Sequence, residues 1–157
     1  MKYYGYFLWL CCALLFVTAC KKNDPAPDRT ALLTAKEWKV NQVKLNNNAL
    51  DQTTIQQILG QGGLDVLDLL YNSNILFKTN GTYTATDRNT GAISDGTWEW
   101  NSVSNRTYLN ITAQAQIYDF ELLTLTESIL SVSRPFTYNF LGTPVSGTVQ
   151  LNLIPAQ

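Results

Sequence analysis

From Asn74 to the C-terminus the sequence repeats one pattern. Short runs of alternating apolar and polar residues are cut by glycine, proline or asparagine at intervals of about 8–12 residues. Side chains on a strand point to alternate faces, so such runs specify antiparallel β-structure with one buried face. The clearest is Ile75-Leu-Phe77-Lys-Thr-Asn80-Gly81-Thr-Tyr83-Thr-Ala85, a hairpin around Asn-Gly. A two-residue turn would pair Lys78 with Tyr83 and Phe77 with Thr84. A three-residue loop with Gly81 as the bulge would pair Phe77 with Tyr83 and Ile75 with Ala85. The second register gathers the apolar residues on one side and is preferred, because the buried face decides register. Further strands are expected at Gly96-Thr-Trp98-Glu-Trp100, Thr107–Thr112, Ile117–Leu125, Ile129–Ser133 and Gly147–Leu153. With an imperfectly alternating run from Thr34 or Trp38 to Leu45, the total is about eight, which suits a barrel or a sandwich.

Residues 51–71 change period. Asp51 can cap a helix starting at Gln52 by accepting from free N–H groups of its first turn. Ile55, Ile58 and Leu59 form an apolar stripe at helical spacing, and Leu64, Leu67 and Tyr71 repeat it, widened by Val66, Leu69 and Leu70. Gly60 suits a helix stop and Gly62-Gly63 a turn. One or two short helices are therefore expected between the first and second strands, covering an end or side of the sheet.

The N-terminus reads as an address. Met1-Lys2 precedes the apolar run Tyr3–Val17, which is shorter than the roughly 20 residues that a spanning helix needs and has the layout of an export signal. Val17-Thr18-Ala19-Cys20 resembles the lipobox of bacterial lipoproteins. That resemblance implies a diacylglyceryl thioether on Cys20, cleavage before it and acylation of the new amine. One acyl chain binds a membrane only marginally, so several on one residue give a stable anchor. Residues 1–19 are thus expected to be a signal peptide and 20–31 a lipidated N-terminus and tether, rich in proline and polar residues. Residues 32–157 form the domain, which is large enough for one core. Cys11 and Cys12 lie inside the signal, so the mature chain would hold no disulfide. With 11 basic and 12 acidic residues and no run of either, no nucleic-acid surface is expected.

The pattern as a whole resembles the lipocalin-like lipoproteins of the Bacteroidota. The features that carry the likeness are Leu33-Thr-Ala-Lys-Glu-Trp38-Lys, the helical segment, Asn74–Thr84, Gly96-Thr-Trp98-Glu-Trp100 and the Leu123-Thr-Leu125…Leu130-Ser-Val132 hairpin. Together they span roughly residues 32 to 154. The resemblance implies an all-β fold, an antiparallel lipocalin-like barrel of about eight strands. The family's biochemical role is mostly undefined. True lipocalins open the first strand with Gly-x-Trp, whereas here Lys36 stands in the glycine position before Trp38. Lys21 after the cysteine, where aspartate would retain an enterobacterial lipoprotein on the inner membrane, resembles an outer-membrane cargo. The expected place is the cell envelope, facing either periplasm or exterior.

The chemistry is sparse. The chain has no histidine, which removes the usual general base near neutral pH. No Gly-x-Ser-x-Gly elbow is present. Catalysis would have to rest on carboxylates such as Glu99, Asp119, Glu121 and Glu127. Asp119 and Glu121 share a strand face and read as a solvated outer surface, so no enzyme is expected. Asp87–Asp95 lacks the acidic twelfth position of a calcium loop, where Trp98 falls, and Gly60–Gly63 is no phosphate loop. No metal or cofactor is expected. The candidate ligand residues are the aromatics Phe77, Tyr83, Trp98, Trp100 and Phe120. They could line an interior that grips a small apolar or glycan ligand, or simply fill it. Eight-stranded barrels do either. The alternative role is a structural or interaction lipoprotein with a packed interior. Residues 134–144, whose aromatics sit beside prolines and a glycine, are then the place for a protein partner, on a long protruding hairpin.

Overall fold

The structure is a computed structural model, which describes residues 28–59, 65–140 and 143–157. The expected signal, Cys20 and most of the tether lie outside the described residues. So does the Gly60–Gly63 turn. The elements are α1 (Arg29–Thr34), β1 (Glu37–Leu45), β2 (Asn48–Ala49), α2 (Gln52–Leu59), α3 (Asp65–Asn72) and β3 (Ser73–Phe77). They are followed by β4 (Thr82–Asp87), β5 (Ile93–Val103), β6 (Arg106–Ala113), β7 (Gln116–Leu125), β8 (Leu130–Phe140) and β9 (Thr143–Pro155).

Eight strands run antiparallel in the order β1-β3-β4-β5-β6-β7-β8-β9, and β1 pairs with β9 to close the barrel. The short β2 is an extra strand on β1. Closure removes the two open edges that a flat sheet of these strands would expose. The register of the first hairpin is Phe77↔Tyr83 and Ile75↔Ala85, as the buried face requires. Gly81 adopts φ +80° in that loop, a conformation that costs glycine little. Inward positions then follow by alternation: Ile75 and Phe77, Tyr83 and Ala85, Leu109 and Ile111, Val149, Leu151 and Leu153, all buried.

The strand before the helices starts later than its sequence pattern implies. Asp28 accepts from the Thr30 N–H at 2.9 Å and caps a short helix, α1, over residues that read as the end of the tether and the start of β1. One helical turn and a half is too short to display a period, and its only buried residue is Leu33. The two expected helices between the first and second strands are both present.

Helices cover both ends. α1 packs against β3 and β7, which stand on opposite sides of the barrel, so it crosses the mouth below β1. α3 follows the far end of β1, packs against β1, β3 and β4, and shares a cavity with Tyr118 of β7 and Phe136 of β8. It therefore spans the other mouth, burying Val66, Leu67 and Leu70. Among the described residues no helix is long and apolar enough to cross a membrane.

The β8–β9 ladder outruns its neighbours. It continues from Arg134↔Val149 to Phe140↔Thr143, whereas β7 pairs with β8 only as far as Ser133 and β1 pairs with β9 only as far as Val149. The 134–144 segment thus contributes to a two-stranded ribbon, which matches the long hairpin expected there.

Among the described residues, three turns are two-residue hairpins with both central residues at positive φ: Asn46-Asn47, Ser104-Asn105 and Gln114-Ala115. This geometry matches strand twist but favours Asn and Gly. Ala115, at φ +63°, bears the Cβ penalty with no local hydrogen bond from its side chain. Ala115→Gly is expected to stabilise the protein by about 0.5–1 kcal/mol, the relief of strain exceeding the added freedom of the unfolded chain. Urea titration would show a raised midpoint at unchanged slope.

Candidate functional site

The five aromatics expected to line the interior all lie on inward positions. Phe77 packs against Tyr83 (centroids 6.2 Å apart) and edge-on against Trp98 (5.8 Å), which in turn meets Trp100 edge-on at 5.9 Å. Phe77 and Tyr83 are 1% exposed, Phe120 is 0% and Trp98 is 7%. Phe77, Tyr83 and Trp98 thus spend much of their surface on one another. Trp98 Nε1 donates to the carbonyls of Lys78 and Thr82, both at 3.0 Å, which ties its indole to the first hairpin loop. The Tyr83 hydroxyl is directed at the Thr112 carbonyl at 3.5 Å. Burial holds its phenol above the usual range, and the neighbouring Asp95 and Tyr118 add to the effect. Trp100 is only partly buried, and among the described residues its enclosed Nε1 has no partner.

The inward face of β8 carries a different chemistry. Leu130, Val132, Arg134 and Phe136 follow one another at period two, and the first two are core residues. Arg134 is therefore an inward-pointing arginine. Its guanidinium carbon lies 5.1 Å from the Tyr118 ring centroid and 5.4 Å from that of the fully buried Phe120. Such stacking is worth about 0.5–2 kcal/mol, more when water is excluded. Burial pulls the guanidinium below its usual value, an effect opposed by Tyr118 and Asp119. The ion pair among the described residues is Arg106 with Glu121 at 3.2 Å, on the outer face, and Arg134 takes no part in it. The Tyr118 hydroxyl is held by Gln116 at 2.8 Å.

Arg134, Tyr118 and Phe136 open onto a cavity of about 160 Å³ beneath the start of α3, where Val66 and Leu67 supply an apolar roof. Sequence reading placed Arg134 in a hairpin but not inside the barrel. The signal was the unbroken alternation Leu130, Val132, Arg134, Phe136, which puts the arginine on the same face as core residues.

The carboxylates stand elsewhere. Asp119 and Glu121 line a groove on the outer surface with Arg106, Tyr108 and Ile117, and Arg134 borders this groove as well as the cavity. The Glu99 carboxylate accepts from Asn110 at 3.5 Å, and the exposed Glu127 lends its backbone carbonyl to Lys36. Asp87, the first residue of the loop tested above for calcium, spends its carboxylate on the protein. One oxygen accepts from the N–H groups of Asn89 and Thr90 and from the Thr90 hydroxyl. These bonds hold its pKa below the usual carboxylate range. No group of three or more His, Cys, Asp or Glu residues able to hold a metal occurs among the described residues.

A depressed folded pKa means that the contribution of Asp87 to stability is complete above its unfolded pKa and fades as pH falls through the folded one. Asp87→Ala should therefore lower the thermal midpoint at neutral pH. The gap to the parent should close in strong acid, which melting curves across a pH series would show.

No family model matches the chain, and no curated protein is similar enough in sequence to stand as a relative.

Proposed function

We propose that this chain is an envelope lipoprotein, anchored through Cys20 to the outer membrane, whose lipocalin-like barrel is a binding module for a small ligand with an apolar body. The ligand sits at the α3-covered mouth rather than among the interior aromatics. One observation carries the binding reading: a cavity of about 160 Å³ with apolar and aromatic walls and one inward-pointing cation. Ligand sites are concave, mostly apolar and marked by a few placed polar groups. A space near 150 Å³ accommodates a benzene-sized molecule, so the ligand, or the part of it that enters, is small.

The anchor rests on Val17-Thr-Ala-Cys20, and mass spectrometry of detergent-extracted protein checks it. The expected N-terminal peptide begins at an acylated Cys20. A retained leader or a bare sulfur overturns it. Binding is tested by calorimetric titration of the full-length protein in nanodiscs with small aromatic acids, small aromatic alcohols and monosaccharides, against empty nanodiscs. Saturable heat with an aromatic probe supports the reading, and none with any of them up to millimolar concentration removes it.

The packed state of Phe77, Tyr83, Trp98 and Phe120 favours a second reading, an interaction lipoprotein with no ligand. Its partner would be met by the ribbon of β8 and β9 over 134–144. Cross-linking from that ribbon in intact cells should then yield a defined adduct.

A further inference from the structure

We infer that the mouth cavity selects an anionic ligand, a small monocarboxylate with a flat or short apolar body, whose carboxylate is received by Arg134. The inference rests on the binding reading above and gives it a substrate class.

Arg134 stands half-buried at the barrel rim, where β8 passes beyond its last pairing with β7, and the part of its guanidinium taken from water is costly unless something compensates it. Stacking over Tyr118 and Phe120 compensates its flat faces, but a ring face offers no acceptor to the N–H fork. No carboxylate among the described residues forms an ion pair with it. Asp119 stands between Tyr118 and Phe120 on β7 and so points to the outer face, where it lines a groove that Arg134 also borders. Arg134 therefore borders both that groove and the mouth cavity, and an acceptor in the cavity would come within reach of its N–H fork.

The rings also fix orientation. Held over Tyr118 and Phe120, the guanidinium is pre-organised, and a planar fork matches a carboxylate in two parallel hydrogen bonds. The remaining walls, Val66, Leu67, Tyr118, Pro135, Phe136 and Thr137, carry no charge and are mostly apolar, so they receive an apolar body. A cavity near 160 Å³ admits a ring or a short chain of comparable size and excludes a long acyl chain. Burial that disfavours the free cation makes a bound anion more valuable, since an opposite charge restores what desolvation removed.

The test compares benzoate with benzyl alcohol, which share a ring and differ in charge. Each is titrated into the full-length protein in nanodiscs, with affinity read from the methyl shifts of Val66 and Leu67. Benzoate is expected to bind at least tenfold more tightly than the alcohol. Arg134→Met keeps much of the volume and removes the charge. It should abolish that preference, with benzoate binding no more tightly than the alcohol. Arg134→Lys should retain part of the preference, because a point charge replaces the fork. Should Arg134→Met fail to fold, the parent's benzoate-to-alcohol ratio and the Lys variant still decide the matter. Equal affinity for both probes in the parent protein overturns the anion assignment while leaving the mouth site standing. No methyl shift with either probe removes the binding reading itself. A preference for benzoate that survives in Arg134→Met overturns the role of this residue.

Discussion

Replacing Trp38 with alanine is expected to cost about 4 kcal/mol of folding stability, in the range for emptying a large buried aromatic site. The residue is fully buried on β1, beside Ile75 of β3 and Pro155 of β9, at the seam where the barrel closes. Its Nε1 donates to the Leu33 carbonyl at 2.8 Å, so it also secures α1 across the lower mouth. Lys36 lies over the same ring at 5.9 Å while its ammonium donates to the Glu127 carbonyl. Alanine removes the packing, the hydrogen bond and the platform for Lys36 together. The expected loss in melting temperature is about 10–15 °C. Hydrogen exchange should reveal faster opening of α1 than of β6, which lies far from the seam. Trp38→Phe should recover most of the packing and leave α1 loose, because the phenyl ring has no donor for Leu33.

Gly96→Ala is expected to destabilise by about 3 kcal/mol through overpacking. A Cβ at this position would lie 2.3 Å from the backbone oxygen of Thr112 and 2.5 Å from the Tyr83 ring. The two strands cannot separate without breaking the ladder through Tyr83↔Gly96 and Thr97↔Thr112. The glycine is there because the Tyr83 ring lies across it. In a double-mutant cycle, Tyr83→Leu should relieve only part of the cost of Gly96→Ala, since the closer clash is with backbone. Chemical denaturation of the four proteins measures both terms.

Much of this architecture is legible in the sequence because its grammar is local. Phe77, Tyr83 and Ala85 could be assigned to one face and one register from the loop alone, since a slip by one residue would turn every apolar side chain outward. The helical span was readable from Ile55, Val66, Leu67 and Leu70 for the same reason. α1 was not, because a single turn capped by Asp28 has no period to detect and its meaning lies in a distant contact, Leu33 with Trp38. The cavity at the mouth was hidden differently. Tyr118, Arg134 and Phe136 lie on two strands that meet only through the barrel's register, and the roof comes from a helix more than fifty residues earlier. Composition drew attention to tryptophans and phenylalanines as ligand grips. In the fold, Phe77, Tyr83, Trp98 and Trp100 pack on one another, and Arg134 at the mouth carries the more specific chemistry. Lys36 shows how a departure from a family pattern acquires a role: its side chain reaches over Trp38, where a glycine could not.

The most direct test is to locate the bound molecule. Benzoate is added to the isotope-labelled protein in nanodiscs while the methyl groups of Val66 and Leu67 and the indole N–H of Trp98 are followed together by NMR. The account predicts saturable shifts at the two roof residues and an unmoved Trp98, whose N–H stays bonded to Lys78 and Thr82. Shifts centred on Trp98 with the roof unchanged would place the ligand deep in the barrel and contradict it.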